Sequence, residues 1–252
     1  HIMTTSKDPK RHSKKENRND LFLNKRLKKI KLDLETFNSF SKFITPNVYK
    51  RYLQRYELYK LTKNIEGSIF ECGVGAGGGL FNWILCKEIL EPYNHTKKIV
   101  GFDTFSGFSS IHSNDKPKKL KNDNLKKNGL SYSNYKEIKN LVSNANKNSP
   151  LPHIEMYKCV KGDISKTLPN YLKKNPETFI SILYLDMDMY KPTIDALKAS
   201  YKNMSKGSII CFDEINHEFW PGESLALKEF FDIKKIRINK FSFDSTAGYI
   251  II

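Results

Sequence analysis

No apolar run in this 252-residue chain approaches the roughly 18 to 20 residues that a membrane span needs, and no charged-then-apolar leader opens it. Cysteine is scarce. Cys72, Cys86, Cys159 and Cys211 lie far apart with no CxxC pair, which argues against a zinc knuckle or a disulfide framework and for reduced thiols in a core. Internal repeats are missing as well. The expectation is a soluble, cytoplasmic protein with no membrane partner. Its length suits one good-sized domain with a short appendage rather than two enzymes in tandem. Hydrophobic residues at 39% and aromatics at 12% are enough to fill a core, which excludes wholesale disorder.

Positive charge is abundant but unevenly placed. The net charge is +16; residues 1–31 contribute +8 and residues 95–147 contribute +7, leaving the remainder near neutral. A basic tail and a basic insertion could attract nucleic acid, a nucleotide-linked substrate or an anionic surface. Equally, Lys and Asn are common throughout and settle wherever solvent tolerates them. Neither segment interleaves aromatics with the charge as a single-strand binder does.

Residues 1–20 are polar and aperiodic and read as a disordered basic tail. A helical segment is expected over 21–66, with a Lys-rich helix from Leu21 to Leu34. A second helix runs from Pro46 to about Thr62, its apolar set being Val48, Tyr49, Leu53, Tyr56, Leu58 and Tyr59. From residue 67 to 252 the pattern alternates strand and helix. Strands are predicted at 68–72, 98–103, 153–159, 179–186 and 208–213, with helices at 79–90, 165–173, 192–203 and 224–231. The run Phe179–Asp186 is almost continuously apolar, as expected of a sheet centre covered on both faces. Two closing strands, 235–240 and 247–252, add an antiparallel hairpin. The fold class is α/β: a doubly wound, mostly parallel, Rossmann-like sheet. Residues 109–152 break the rhythm. About 40 residues without strong structure, apart from one helical patch at 135–144, suggest a lid or a disordered insertion.

Glu71-Cys72-Gly73-Val74-Gly75-Ala76-Gly77-Gly78-Gly79 lies between a strand and a helix, where glycines permit a sharp turn and close approach of a ligand. Gly73, Gly75 and Gly78 satisfy GxGxxG, and Asp103 ends the next strand. This spacing admits either a nicotinamide dinucleotide or S-adenosylmethionine (SAM). A short-chain dehydrogenase also needs a Tyr-xxx-Lys pair. Those present (Tyr56/Lys60, Tyr132/Lys136, Tyr157/Lys161) do not fall where the fourth and fifth strands deliver chemistry, so hydride transfer is the weaker reading.

The most informative segment is Leu185-Asp186-Met187-Asp188-Met189-Tyr190. Asp186 and Asp188 share a face if the strand persists, and they sit at the carboxyl end of the most buried strand, where open α/β sheets bind ligands. The next strand ends in Asp213-Glu214. Four acids at one mouth repel one another unless a cation or protons intervene, and a hard divalent ion, Mg²⁺ by preference, is the economical answer. One remaining acid would serve as general base on a hydroxyl. Any single one of these residues could instead be a helix cap. Asp163, after the third strand, either accepts the adenine amino group or caps the next helix. His217 is given no role.

Taken together, Phe70-Glu71-Cys72-Gly73-Val74, Gly101-Phe102-Asp103-Thr104-Phe105-Ser106-Gly107-Phe108, Gly162-Asp163 with Thr167-Leu168-Pro169, Leu185 to Thr193, and Asp213-Glu214 resemble the macrocin O-methyltransferase family. The resemblance runs from the Arg51–Tyr59 helix to the C-terminus. It implies a class I SAM-dependent methyltransferase that uses Mg²⁺ and methylates sugar hydroxyls. It places Glu71, Gly73 and Gly75 along the SAM pocket, with Asp103 on the ribose. Thr104, Phe105 and Ser106 would line the cofactor, and Asp163 would face the adenine. Asp186, Asp213 and Glu214 become the metal ligands and Asp188 the base. Two departures stand out. The family usually has Asp-Asp-Tyr where this chain has Asp213-Glu214-Ile215, and a basic residue where this chain has Glu223. The implied partner is a small hydroxylated acceptor, a sugar or nucleotide-sugar, with homo-oligomerisation left open. The rival from another class is an RNA methyltransferase or RNA-binding protein using the basic segments. Acids clustered at the acceptor mouth would repel a polyanion.

Overall fold

Five short apolar segments pair side by side in one direction: β1 (Ser68–Cys72), β2 (Ile99–Asp103), β3 (Tyr157–Lys161), β4 (Ile180–Leu185) and β5 (Ile209–Phe212). β6 (Asn239–Lys240) and β7 (Gly248–Ile251) close the sheet antiparallel, giving the order β3-β2-β1-β4-β5-β7-β6. In the computed structural model the described residues are 33–118 and 122–252, with Lys25, Leu27, Lys28, Ile30 and Lys31. The expected basic tail and most of the Leu21–Leu34 helix lie outside them. The chain divides into two units, His1–Arg51 and Tyr52–Ile252. In the first, a short helix α1 (Leu34–Asn38) is capped by Asp33, whose Oδ1 accepts from the Thr36 N–H at 3.0 Å. Helix α2 (Pro46–Leu61) continues from this unit into the second. Among the described residues no helix is long and apolar enough to cross a membrane.

Every residue of β4 is buried, as its unbroken apolar run predicts. Ile182 and Tyr184 pack on one face of the sheet with Ile69, Trp83 and Cys211. Leu183 and Leu185 pack on the other with Phe70, Phe102, Phe212 and Leu197. Crossover helices supply both outer layers: α3 (Gly78–Leu90), α4 (Tyr135–Asn148), α5 (Ile164–Lys174), α6 (Tyr190–Ser200) and α7 (Gly222–Phe230). The parallel β1–β2 and β1–β4 ladders put three strand ends side by side at one edge.

Three elements depart from expectation, each for a tertiary reason. β3 starts at Tyr157 rather than His153, because it pairs in register with Ile99 and because Asn146 of α4 receives the Met156 and Tyr157 amides at 2.9 and 3.0 Å. β6 shrinks to two residues, since only Asn239 and Lys240 find partners on β7 at the sheet edge. Most informative is the segment expected to lack strong structure. It contains α4, which extends to Asn148 and buries Ile138 and Val142 four residues apart on one face. α4 is therefore the crossover helix between β2 and β3, packed under the sheet like the others.

The amphipathic reading of α2 holds only in part within the second unit. Leu53 and Tyr56 are exposed, whereas Gln54 and Arg55 are buried with Leu58 and Tyr59. Polar residues go inside because partners await them: the Gln54 amide donates to Asp244 at 2.6 Å, and Arg55 meets Glu71.

Because α4 is part of the core, Ile138→Ala should destabilise the protein by about 2–5 kcal/mol in urea unfolding, the usual range for such truncations. A loss under about 0.5 kcal/mol, the size of a surface effect, would show α4 to be loosely held.

Candidate active site

Backbone bonds continue the sheet one residue beyond the strands and align the site residues along its carboxyl edge. The Gly73 amide donates to Phe102 O at 2.9 Å, Asp186 to Cys72 O at 2.8 Å, Asp213 to Leu185 O at 3.0 Å and Gly162 to Asp103 O at 2.8 Å. Gly73 (φ 101°) runs so close to the next strand end that a Cβ there would lie 1.8 Å from the Asp186 carbonyl oxygen. The glycine turn and the acidic loop after β4 are thus in direct backbone contact. Only glycine fits that crossing.

Asp103 straps the turn. Its Oδ2 accepts from the Gly75 N–H at 2.8 Å and its Oδ1 from the Phe105 N–H at 2.6 Å. An ionised carboxylate has about four lone-pair sites, so both oxygens keep capacity for a ligand hydroxyl. Thr104 donates its hydroxyl to Gly107 O at 2.8 Å and receives the Ser106 amide at 3.2 Å, a turn closed on itself. The Phe105 ring is buried against Tyr135 at 5.1 Å, so it faces the core. Asp163 takes the capping role: its Oδ1 accepts from the Ser165 amide at 3.0 Å and the Ser165 hydroxyl at 2.8 Å. A Cβ at Gly75 would touch the Tyr132 ring at 3.4 Å, so an aromatic from the 109–152 stretch lies against the turn.

Beneath the turn sits a buried cation. Arg55 Nη2 donates to Glu71 Oε1 at 2.8 Å and lies 3.9 Å from Asp186 Oδ2, with the guanidinium over the Tyr184 ring at 4.2 Å. A Cβ on Gly79 would fall 1.9 Å from Glu71 Oε1, so glycine at the start of α3 makes room for the pair. Burial works against the charged guanidinium, but Tyr184, Glu71, Asp186 and Asp213 outweigh it and move its pKa upward. The second oxygen of Glu71 is buried without a hydrogen-bond partner, which suits a cationic group arriving at the turn.

The remaining acids follow β4 and β5. Asp213 is buried, and its Oδ1 accepts from the Tyr184 hydroxyl at 2.8 Å. Glu214 is buried with its Oε2 3.7 Å from His217 Nε2. Asp188 adopts the left-handed region at φ 60°. Glu223, at the start of α7, is fully buried. Its Oε1 accepts from the Met187 and Asp188 amides at 3.2 and 3.1 Å, and its Oε2 from the Glu214 amide at 3.1 Å. Burial, and then the Asp188 charge, push the Glu223 carboxyl well above the usual carboxylate range. Asp115 ties the 109–152 stretch to the same corner, accepting from the Tyr190 amide at 2.6 Å and the His112 amide at 2.6 Å.

The four acids after β4 and β5 therefore share one mouth, as their positions in the sequence imply. Asp186, Asp213 and Glu214 have the hard oxygen donors that Mg²⁺ takes. As placed, they turn toward Arg55, Tyr184 and His217, and among the described residues no three His, Cys, Asp or Glu side chains are grouped around one point. Arg55, Glu223, Tyr184 and Asp115 were not among the expected site residues. Only Glu223 carried a signal in the sequence, as a departure from the family pattern.

A doubly wound sheet with a reversed C-terminal strand, a glycine turn after β1 and acids after β4 and β5 is the framework of a Rossmann-like O-methyltransferase. The chain belongs to the macrocin O-methyltransferase (TylF) family, whose model matches residues 51–250. CalS11, a calicheamicin methyltransferase, is a similar solved structure: 27% identity, 95% of this chain and 93% of that one covered, TM-score 0.88. Its apo structure, of a TDP-rhamnose 3'-O-methyltransferase, superposes at TM-score 0.80 with 27% identity and 95% of each chain covered. The O-methyltransferase NovP shares 20% identity over 83% of this chain and 80% of its own at TM-score 0.55, a likeness of fold. Among curated proteins, none matches by sequence.

Removing the buried cation should expose its importance. Arg55→Met leaves Glu71 buried and uncompensated and is expected to cost about 3–5 kcal/mol in urea unfolding. Adding Glu71→Gln should recover most of that loss. Equal stability of the single and double variants would show that the pair is not coupled.

Proposed function

We propose that the protein transfers the methyl group of SAM to a hydroxyl of a sugar, free or carried on a nucleotide, with Asp188 as general base. The observation that carries this reading is the backbone contact between the glycine turn at Gly73 and the acidic loop at Asp186, which sets a donor-binding turn beside proton-accepting side chains. The similarity to CalS11 over almost the whole of both chains supports a sugar acceptor, with a nucleoside-diphosphate deoxysugar as the first to test.

In this reading Gly73 and Gly75 let the donor approach the backbone closely, and Asp103 receives the ribose hydroxyls on lone pairs that its two amide bonds leave available. Thr104, Phe105 and Ser106 shape the adjoining turn, and Asp163 lies at the adenine end. Glu71, with one oxygen on Arg55, offers the other to the donor's ammonium group. Asp188 takes the acceptor proton as the hydroxyl oxygen forms its bond to the methyl carbon and the sulfur–methyl bond breaks. The products are a methyl ether and S-adenosylhomocysteine. Orientation supplies much of the rate. Residues 109–118 and 122–134, ahead of the core helix α4 and held by Tyr132 at Gly75 and Asp115 at Tyr190, act as a lid that excludes water.

A Mg²⁺ ion held by Asp186, Asp213 and Glu214 would supply Lewis-acid activation of the acceptor hydroxyl. Turnover is expected to fall in EDTA and to return with Mg²⁺. Undiminished turnover would remove the ion from the proposal and leave Arg55 as the cation of the site.

Incubation with SAM and TDP-rhamnose should add about 14 Da, one methylene equivalent, to the acceptor, read by mass spectrometry. Asp188→Asn should reduce turnover by at least about 100-fold, the low end for loss of a general base, while calorimetry shows SAM binding retained. Loss of SAM binding instead would overturn the base assignment.

A further inference from the structure

Glu223 is not needed to bind donor or acceptor in the scheme above, yet it occupies a place that is unfavourable for an acid. It is fully buried, and Asp188, Asp186 and Asp213 lie close enough for their charges to oppose its own. A buried carboxylate in such company is destabilising unless its oxygens are matched by donors. Here they are matched by three backbone amides from two separate loops: Met187 and Asp188 after β4, and Glu214 after β5. One side chain thereby joins the segment that presents Asp188 to the segment that presents Asp213 and Glu214.

The local backbone shows why that junction matters. Asp188 is held at φ 60°, in the left-handed region that favours glycine. The bond from its own amide to Glu223 Oε1 fixes the peptide plane before it, and that plane together with φ 60° sets the direction of its Cα–Cβ bond. The anchor is itself rigid. Gly222 lets the start of α7 press against the start of α6, where a Cβ would lie 2.5 Å from the Tyr190 nitrogen and 2.7 Å from Asp115 Oδ1.

We propose that Glu223 is a positioning residue for methyl transfer: by holding the Met187 and Asp188 amides with one oxygen and the Glu214 amide with the other, it sets the direction in which Asp188 meets the acceptor. This rests on the reading of Asp188 as the base. Glu223 touches neither substrate; it acts through the loop.

The test uses the full chain with Glu223→Gln and Glu223→Ala. Amide hydrogen exchange needs no turnover and comes first. Exchange at Met187, Asp188 and Glu214 should quicken about tenfold or more in Glu223→Ala, as expected for loss of a net hydrogen bond of about 1–1.5 kcal/mol, while the β4 core stays protected. Unchanged exchange at those three amides overturns the proposal. With SAM and TDP-rhamnose, kcat should fall about 100-fold in Glu223→Ala, the cost of misplacing a reacting group by about 1 Å, with KM for both substrates unchanged. Glu223→Gln keeps one carbonyl acceptor for Met187 and Asp188 and should recover part of the rate, and it carries the test should the alanine variant fail to fold. Wild-type kcat in the glutamine and alanine variants, or KM for SAM rising in step with the loss of kcat, overturns it. The two readings fail separately. Asp188→Asn at the wild-type rate removes Asp188 as base, whereas inactive Asp188→Asn beside fully active Glu223 variants removes only the present inference.

Discussion

A guanidinium enclosed beneath the carboxyl edge of the sheet is the interaction on which the site depends. Glu71, Asp186 and Asp213 come from three strand ends that the parallel ladder places side by side, and three carboxylates so gathered repel one another strongly where water is excluded. Arg55 lies among them with its face on Tyr184. A lysine in that position could lose its proton on burial; a guanidinium keeps its charge at any physiological pH. The cation is therefore permanent, and it opposes the burial that pushes the Glu71 carboxyl above the usual carboxylate range.

Close backbone approach is the second constraint, and glycines impose it. At Gly73 the turn meets the Asp186 carbonyl, at Gly79 the start of α3 clears the Arg55–Glu71 pair, and at Gly222 two helix starts meet over Asp115. Each is a point where the absent Cβ is the structural element. These contacts, with the buried Glu223 side chain joining the two acidic loops, couple the glycine turn to the loops after β4 and β5.

Much of the fold was legible because strand and helix periods differ and the strands here are short, apolar and separated by helices of ordinary length. The buried run of β4 announced the sheet centre, and the acids following β4 and β5 announced its functional edge. Family-specific residues such as Phe102-Asp103-Thr104 and Leu185-Asp186-Met187-Asp188 narrowed the chemistry further. What misled was composition. Lys, Asn and Ser in 109–152 suggested no more than a helical patch at 135–144, although Ile138 and Val142, four residues apart, seat α4 in the core with Tyr135 and Ala145 beside them. In α2 the apolar residues drew the eye, while Gln54 and Arg55 were taken inside along with Leu58 and Tyr59.

Local patterning by itself determined the order of strands and helices, the position of the glycine turn and the identity of the acids at the mouth, because each depends on residues close together in the chain. Tertiary structure alone decided which partner each of those acids has. Glu71 and Arg55 are 16 residues apart, Glu223 and Asp188 are 35 apart, and Gln54 and Asp244 are 190 apart. Charge pairing across such separations leaves no periodic trace in a sequence. It exists only once the sheet has brought its strand ends together and burial has made each unpaired polar atom costly.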